Sequence, residues 1–366
     1  MKNVRRIMIV DDSAVFRKYL TSIINSSRKN MMVIASAPNG KICLTKMAIP
    51  AYKPDVVILD IFMPEMDGIE TFNHIMDRFP TPVIFISSMK QKEVSKLFSS
   101  AGMAAFETGT VEFVSKPDKA DKEGGKKFER EIIEKIINLS PVNLQKVAEG
   151  FDIAKFMREE TPRSSLRTRA ASGTIYVPPR EKLIIIGAST GGTRAISLIL
   201  SKFPLKSPPV IIIQHIPDMM VEHWAERLQN LYASLDINVA TNGESLLPSK
   251  IYIAPGGKHL VVERGKSISL VEGERVNFVI PSIDVTMISA AKAYRQHVLG
   301  IILTGMGKDG TDGARKIKNY GGKIFAEHES TCMVSSMPKS VIEENLADRI
   351  IPLHEIPGAI FTSGWI

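Results

Sequence analysis

A serine set between small residues is the first candidate for chemistry in this sequence. Residues 183–196 read LIIIGASTGGTRAI, in which Gly187–Gly191 fits the pattern G-x-S-x-G. This pattern holds a serine hydroxyl on a tight turn between a strand and a helix, and the helix N-terminus then faces any oxyanion that forms there. Ser189 is therefore a candidate nucleophile. A glycine-rich turn that cradles the phosphates of a nucleotide is the alternative, although the stretch does not fit G-x-G-x-x-G.

A histidine follows the next apolar run, VIIIQ, at position 215. Serine is a poor nucleophile near neutral pH and needs a base, for which imidazole is well matched. If the two runs are neighbouring parallel strands, Ser189 and His215 both lie at the carboxyl edge of the sheet. The alternative is an ordinary histidine on a turn before Pro217. The other histidines of this half lack a strand end with apolar support: His223, His259, His297, His328 and His354.

An aspartate that orients the imidazole would complete such a centre. The run VLGIILT leads into GMGKDGTDG, which places Asp309 at the same edge of the sheet. Asp312 and Asp284 are rivals, but the first is typical of a helix cap and the second begins a different helix. The order Ser, His, Asp differs from the Ser, Asp, His order of α/β-hydrolases, in which His328 or His354 would be the base. Triads are recognised by geometry rather than by chain order, so Asp309 is preferred.

Acidic residues follow the strands of the first half of the chain. Asp11 and Asp12 come directly after IMIV, and Asp60 ends VVILD. Three carboxylates at one edge of a sheet repel one another unless a hard divalent cation such as Mg²⁺ binds them. Ser87 at the end of VIFIS and Lys116 after VEFVS would lie at the same edge, where a lysine suits a phosphoryl oxygen and an aspartate can accept the group. Taken singly, the aspartates are also compatible with helix caps and an ordinary strand end.

The elements that position these residues are short, continuous Val/Ile runs, separated by segments long enough for crossover helices. Such runs are typical of strands buried on both faces of a parallel sheet, so the sequence predicts two doubly wound, mostly parallel α/β domains. The segment LVVERGKSISLV predicts a hairpin at the edge of the second sheet. The predicted strands are 7–10, 56–59, 83–87 and 111–115 in the first domain and 183–187, 210–214, 251–254, 260–263, 268–271, 298–304 and 323–326 in the second.

A change in composition separates the two halves. Residues 141–181 have scattered Pro and Ser and contain RSSLRTR, which predicts a linker between a first domain at 1–140 and a second at 182–366. A basic arm that binds nucleic acid is the alternative, and the net charge of +8 is compatible with it. Because no aromatic residues interleave these arginines, the linker is favoured and no nucleic-acid partner is expected.

Composition and cysteine content narrow the class of protein further. With 366 residues, 44% of them hydrophobic, the chain has enough apolar material for packed cores. The two cysteines, Cys43 and Cys332, are far apart and lack metal-ligand spacing, so neither a disulfide framework nor a zinc site is indicated. The first residues lack the apolar stretch of a signal peptide and no later stretch is long enough to span a membrane, so we expect a cytoplasmic protein without membrane insertion.

The first domain resembles the receiver domain of two-component response regulators across residues 1–140. The resemblance rests on DD at 11–12, on DIFMPEMDG from Asp60 and on the pair KP at 116–117. It implies a five-stranded fold in which Asp60 accepts a phosphoryl group from a histidine kinase. Phe62 departs from the polar residue or Met expected there, which bears on the rate of dephosphorylation. The resemblance assigns a Mg²⁺ site to Asp12, Asp60 and the carbonyl of Phe62, with Asp11 acting through water, and a switch to Ser87, Phe113 and Lys116.

The whole chain resembles the chemotaxis protein-glutamate methylesterase family. The resemblance rests on GASTGGT, QHIP, YIAPGGKHL, PSIDV and LTGMGKDG, in this order behind a receiver and a linker. It implies hydrolysis of γ-methyl esters on glutamates of chemoreceptor cytoplasmic helices, with release of methanol and without a cofactor, and deamidation of receptor glutamines. It makes Ser189 the nucleophile, His215 the base and then the acid and Asp309 the orienting carboxylate, and it expects Thr190 and Met306 to shape the oxyanion site.

Two departures from the family pattern concern substrate contacts more than chemistry. Ile280 stands where the pattern has an arginine, and the segment CMVSSMP at 332–338 also differs. The resemblance further implies that the unphosphorylated receiver covers the catalytic edge until Asp60 is phosphorylated. A response regulator with a nucleotide-binding or DNA-binding output domain is the alternative reading of the chain.

Overall fold

The computed structural model describes residues 4–27, 29–87, 111–117, 122–139 and 181–365. The chain divides into two compact units, Met1–Ile153 and Ala154–Ile366. The predicted linker at 141–181 lies, apart from its last residue, outside the described residues, so the domain boundaries stay a prediction. Within the described ranges, no helix combines the length and the apolar character needed to cross a membrane.

The first unit contains a sheet of five parallel strands in the order β2-β1-β3-β4-β5. One face of this sheet packs against α1 and α4, where Leu20 and Ile132 join a core with Ile7 and Ile9. On the other face Phe72 of α3 contacts Phe85 of β4. The predicted doubly wound fold is therefore confirmed. The elements are β1 Arg5–Val10, α1 Ala14–Ser26, β2 Met31–Ala37, α2 Gly40–Met47, β3 Val56–Asp60, α3 Gly68–Arg78, β4 Val83–Ser87, β5 Val111–Ser115 and α4 Lys122–Asn138.

The second unit contains a sheet of seven parallel strands in the order β14-β13-β12-β6-β7-β9-β8. Strand β6 lies at its centre between β12 and β7, and the register pairs Gly187 with Ile302 and Ala188 with Gln214. The carboxyl ends of these three strands therefore meet at one edge. The elements are β6 Leu183–Ala188, α5 Gly192–Leu200, β7 Val210–Gln214, α6 Asp218–Leu231, β8 Asp236–Val239, β9 Lys250–Ile253, β10 His259–Val262, β11 Ile268–Val271, α7 Ile283–Tyr294, β12 Val298–Ile302, α8 Thr311–Asn319, β13 Lys323–Glu327, α9 Ser336–Glu343, β14 Arg349–Ile351 and α10 Ile356–Thr362.

The predicted hairpin forms from β10 and β11, but as a separate two-stranded antiparallel sheet rather than at the edge of the seven-stranded one. Helix α7 explains the difference, because its side chains take the free backbone groups of β10. Thr286 Oγ1 donates to the Leu260 carbonyl at 2.8 Å, and Ser289 Oγ accepts from the Val262 amide at 3.0 Å. The outer edge of β10 is thus occupied by a helix instead of a strand.

Candidate catalytic and phosphorylation sites

Ser189 lies on the turn between β6 and α5, directly after the central strand, and is half-buried. Its amide donates to the Thr304 carbonyl at 3.0 Å, and its carbonyl accepts from Gln214 Nε2 at 2.8 Å. Because both backbone groups are hydrogen-bonded, the turn is fixed and the side chain alone is left for chemistry. Thr304 also donates through Oγ1 to the Thr190 carbonyl at 3.0 Å, which fixes the next residue as well.

The glycines of this turn are required by close packing. A Cβ on Gly187 would lie 2.7 Å from Ile283 Cγ2, and one on Gly192 would lie 2.1 Å from Gln214 Oε1. Gly191 has φ of 79°, in the left-handed region that favours glycine, and its Cβ would meet Met333 at 2.7 Å. Since the glycines face protein atoms, the turn favours a serine on a packed elbow over a cradle for phosphates.

His215 follows β7 and lies beside the serine turn, because its amide donates to the Ala188 carbonyl at 3.1 Å. Its ring Nε2 lies 3.0 Å from Asp309 Oδ2. Only 9% of the histidine side chain and 3% of the aspartate side chain are exposed. The structure therefore brings together the predicted imidazole and carboxylate, which are 94 positions apart in the chain.

Asp309 is held in an ionised form by its hydrogen-bond donors. Burial acts to raise its pKa, but the hydrogen bond and charge of His215, the Ile283 amide and the Ser282 hydroxyl outweigh it and lower the pKa to about 2. The Ile283 amide lies 2.6 Å from Oδ2, and Ser282 Oγ lies 2.8 Å from Oδ1. Asn277 Nδ2 also donates to Oδ1, at 3.2 Å. The carboxylate therefore has a fixed orientation and a fixed charge.

Two amides near the serine turn have no hydrogen bond to any described residue, those of Thr190 and Met306. Thr190 is buried and Met306 is half-buried. Gly305, the residue before Met306, approaches the serine so closely that a Cβ there would lie 2.8 Å from Ser189 Cβ. Both amides are thus free to serve as donors, in agreement with the predicted roles, which stay predictions.

The Ser189 hydroxyl has no hydrogen-bond partner among the residues that the structure describes, so it is not bonded to the His215 ring. Catalytic hydrogen bonds are often long before substrate binds, and a change of the serine rotamer moves Oγ without moving the backbone. The segment 332–338 borders this turn, since Ser336 Oγ donates to the Gly305 carbonyl at 3.1 Å. Ile280 is half-buried, next to Pro281 and the Asp309 donor Ser282.

The rival carboxylates and histidines have other roles. Asp312 is 60% exposed and pairs with Arg315 in the first turn of α8. Asp284 is buried beside Asp309 but contacts no histidine ring in the described part of the chain. His259 is buried, with its two ring nitrogens on the Glu274 carbonyl and the Ser282 amide. The remaining candidate bases are partnered by other residues or exposed: His328 contacts Ser330, and His354 pairs with Glu355.

The predicted acidic cluster of the first unit is present at the carboxyl edge of its sheet. Ligand atoms of Asp11, Asp12 and Asp60 all lie within 4.8 Å of one another. Lys116 Nζ lies 2.7 Å from Asp60 Oδ2 and 2.8 Å from Asp11 Oδ2. Burial opposes a charged lysine, but these two carboxylates raise the pKa of Lys116 above its ordinary value.

Ser87 and Phe113, which are predicted to form a switch, lie on adjacent strands. Ser87 pairs with Ser115 at the ends of β4 and β5, and its carbonyl accepts from the Lys116 amide at 2.9 Å. Phe113 stacks on Phe85 with ring centroids 5.3 Å apart and is half-buried. The backbones of Ser87 and Lys116 are therefore in contact, and the aromatic ring lies on the neighbouring strand.

A divalent cation fits the acidic cluster. One lysine does not balance three carboxylates, and burial with the charges of Asp11 and Asp12 raises the pKa of Asp60 to about 6, even though Lys116 lowers it. Asp12 is exposed, which opens the oxygen cluster to solvent. All-oxygen ligands suit Mg²⁺. Phe62 follows in the loop after β3 with 42% exposure, and no described contact ties its carbonyl to the cluster.

Gly68 at the start of α3 lies directly against the backbone of Asp60. A Cβ there would lie 2.1 Å from the Asp60 carbonyl oxygen, and the Gly68 amide donates to the Ile61 carbonyl at 2.8 Å. Asp67 caps the same helix by accepting from the Glu70 amide at 2.8 Å. The sequence DIFMPEMDG thus encodes a loop that returns a helix onto the backbone of Asp60.

An acidic pocket with a lysine on one α/β domain, followed by a Ser, His, Asp arrangement on another, defines a response regulator whose output domain is a hydrolase. Family models described as CheB methylesterase and as response regulator receiver domain match residues 184–360 and 7–122. The chain belongs to the family of protein-glutamate methylesterases/protein-glutamine glutaminases, since it is 36% identical to the member from Thermotoga maritima over 96% of each chain.

A second curated relative agrees with this assignment. A Geobacter metallireducens protein named protein-glutamate methylesterase/protein-glutamine glutaminase 1 is 36% identical and covers 99% of this chain and 96% of its own. Among solved structures, the Thermotoga maritima CheB methylesterase catalytic domain is 41% identical, covers 50% of this chain and 98% of its own, and has a TM-score of 0.48. The response regulator domain of Thermotoga maritima CheB is 34% identical, with 37% and 96% coverage and a TM-score of 0.31. A nucleotide-binding or DNA-binding output domain is not supported.

Sequence reasoning missed the residues that hold Asp309 and the serine turn in place. Ser282, Asn277 and Thr304 carry no signal as single residues, because Ser, Asn and Thr are common in loops and caps. The motif PSIDV contains Ser282, and it indicated a functional loop without showing which atom the serine contacts. Asn277 lies in an irregular stretch where no periodicity predicts its neighbours.

Proposed function

We propose that this protein hydrolyses γ-glutamyl methyl esters on the cytoplasmic helices of chemoreceptors, releasing methanol, and that it also deamidates receptor glutamines. Residues 182–366 carry the catalysis and residues 1–140 are a receiver that controls it, joined by a linker at 141–181. The observation that supports this most is the 3.0 Å contact of His215 Nε2 with Asp309 Oδ2 beside the Ser189 turn. Because the receptor segments are cytoplasmic, so is the protein.

The reaction follows from the charges of the site. Asp309 is ionised, so the proton of the shared hydrogen bond belongs to His215 Nε2, and Nδ1 is left to take the proton of the Ser189 hydroxyl. Serine attack on the ester carbon gives a tetrahedral oxyanion, which the amides of Thr190 and Met306 stabilise. Methanol leaves with the proton from His215, and a water activated by the same imidazole then releases the glutamate. Removing one oxyanion donor costs about 10² to 10³ in turnover.

Control comes from the receiver. The response-regulator family implies a Mg²⁺-dependent phosphorylation site. The oxygens of Asp12, Asp60 and the Phe62 carbonyl would hold the ion, with Asp11 reached through water, and the ion would neutralise charge on the phosphoryl group. Asp60 accepts the group from a chemotaxis histidine kinase, Lys116 then contacts its oxygens, and Ser87 and Phe113 respond. Phosphorylation relieves a block of the catalytic edge by the receiver.

Methanol release from methylated receptor membranes tests the proposed function. We expect the full chain with acetyl phosphate and Mg²⁺ to release methanol, and Ser189→Ala to lose at least about 10⁴ of the turnover, because no other group can form the acyl enzyme. Ser201→Ala, an exposed serine at the end of α5, is the matched control and keeps full activity. Equal turnover by wild type and Ser189→Ala would contradict the proposal.

A further inference from the structure

Two buried carboxyl groups lie side by side in the second unit, although the proposed reaction uses only one of them. Asp284 and Asp309 are 2% and 3% exposed. Asp284 Oδ1 accepts from the amides of Gly310 and Gly313 at 3.0 and 2.7 Å, at the start of α8. Since Gly310 directly follows Asp309, these bonds hold the turn that carries the triad carboxylate.

A single side chain joins the two carboxyl groups. Asn277 Nδ2 donates to Asp284 Oδ2 at 2.6 Å and to Asp309 Oδ1 at 3.2 Å. An amide nitrogen carries two hydrogens, so it can serve both carboxyl groups at once. Asn277 has φ of 49°, a left-handed conformation that Asn tolerates better than most residues. The residue therefore combines the backbone and the donors that this position needs.

The charges of the two carboxyl groups explain why a shared donor stabilises this arrangement. Two ionised carboxylates side by side in a buried site would repel strongly, so burial and the charge of Asp309 raise the pKa of Asp284 to about 7. Without the shared donor, Asp309 would lose one of its hydrogen bonds on Oδ1 and would face the Asp284 carboxyl group with no donor between them. Its Oδ2 would still accept from the Ile283 amide, but fewer donors would hold the carboxylate against His215 Nε2.

We propose that Asn277 and Asp284 are positioning residues, which act through Asp309 by holding its carboxylate against His215. This inference rests on the proposed function of the site. Asn277 donates a hydrogen bond to the Asp309 carboxylate itself. Asp284 accepts hydrogen bonds from the Gly310 and Gly313 amides, which follow Asp309 in the chain at the start of α8. Neither residue touches the reacting atoms, so both act on turnover and not on receptor binding.

The test compares Asn277→Gly with Asn345→Gly in the full chain. Both positions have left-handed φ angles, and Asn345 is exposed, so glycine suits either backbone and only the first variant removes the bridge. We expect kcat for methanol release to fall about 10²-fold in Asn277→Gly, as for a misplaced catalytic group, while KM changes by less than about threefold. The low-field NMR resonance of the His215 ring proton on Nε2 should move or broaden in the same variant. Asn345→Gly leaves all three quantities unchanged.

The readouts separate this inference from the proposed function. If wild type released no methanol, the function would fail, and the His215 resonance would still show whether Asn277 fixes the pair. An unchanged resonance and kcat in Asn277→Gly would overturn the inference, and so would a rise in KM alone. If that variant does not fold, Asp284→Asn repeats the test, because its amide group would oppose the donor of Asn277 while its oxygen still accepts from Gly310 and Gly313.

Discussion

The contact of His215 with Asp309 fixes the direction of proton transfer at the residue scale. With the aspartate ionised, its partner nitrogen must be the protonated one, so in the proposed reaction Nδ1 is the nitrogen that takes the serine proton. Asp312 could not do this, because it is exposed and pairs with an arginine. Burial and hydrogen-bond donors thus favour Asp309 among the three aspartates.

Because the pKa of the buried Asp284 is raised, we expect the stability of the protein to depend on pH. Its folded pKa of about 7 lies above the ordinary value of 3.8, because of burial and of the charges of Asp309 and Asp312. Between these values the native protein binds more protons than the unfolded chain, so this carboxyl group lowers stability as pH rises from about 4 to about 7. Asp284→Asn cannot titrate. We expect the difference between its urea midpoint and that of wild type to increase in favour of the variant as pH rises from about 4 to about 7.

Tryptophan fluorescence measures this change in one unit only, because both tryptophans, Trp224 and Trp365, lie in the second unit. Asp236→Asn, at an exposed position on β8, is the control and should keep a constant difference from wild type. A constant difference between Asp284→Asn and wild type from pH 4 to pH 7 would mean that Asp284 has no raised pKa.

At the scale of elements, the sequence predicted the buried central strands and the edge of the sheet at which they end. Continuous Val/Ile runs marked the central strands, and parallel pairing then brought Ser189 and His215 to one edge. Strands β2, β8 and β14 were missed, because they are edge strands with polar or exposed positions that interrupt the apolar pattern. The Asn277 bridge could not be predicted, because it joins an irregular stretch to a residue 32 positions away.

The turn between β6 and α5 is packed so closely that one added methyl group should lower the stability of the protein. Gly192→Ala would place a Cβ 2.1 Å from Gln214 Oε1 and 2.5 Å from Ala188 Cβ, with little room for either to move. We expect a loss of about 1 to 3 kcal/mol in the free energy of unfolding, as for other overpacked sites, measured by urea titration of tryptophan fluorescence.

Gly265→Ala is the matched control for this substitution. A Cβ on Gly265 would have no heavy atom of the described residues within 4 Å, apart from its own neighbours in the chain. The free energy of unfolding of Gly265→Ala should therefore stay within about 0.5 kcal/mol of wild type. If Gly192→Ala were as stable as Gly265→Ala, the close packing of the serine turn would not be a constraint.

At the scale of the whole molecule, the candidate phosphorylation site and the candidate catalytic site belong to different units. We expect acetyl phosphate with Mg²⁺ to raise methanol release by the full chain, because phosphorylation shifts a blocked population to an open one. Residues 182–366 alone should be as fast as the phosphorylated chain. Asp60→Asn should stay at the basal rate with or without the phosphodonor.

The control for the phosphodonor is Asp77→Asn, an exposed aspartate on α3 that should respond like wild type. Equal rates for the isolated residues 182–366 and for the full chain with and without acetyl phosphate would contradict control by the receiver. They would leave the catalytic proposal untouched.

The central claim is that Ser189, His215 and Asp309 work as one unit, and a double-mutant cycle in kcat tests it most directly. Methanol release is measured for Asp309→Asn, His215→Ala and the double variant under identical phosphorylating conditions. If Asp309 acts only through His215, the double variant is as slow as His215→Ala alone, to within about threefold. If the two losses multiply instead, the residues act independently and the account is contradicted.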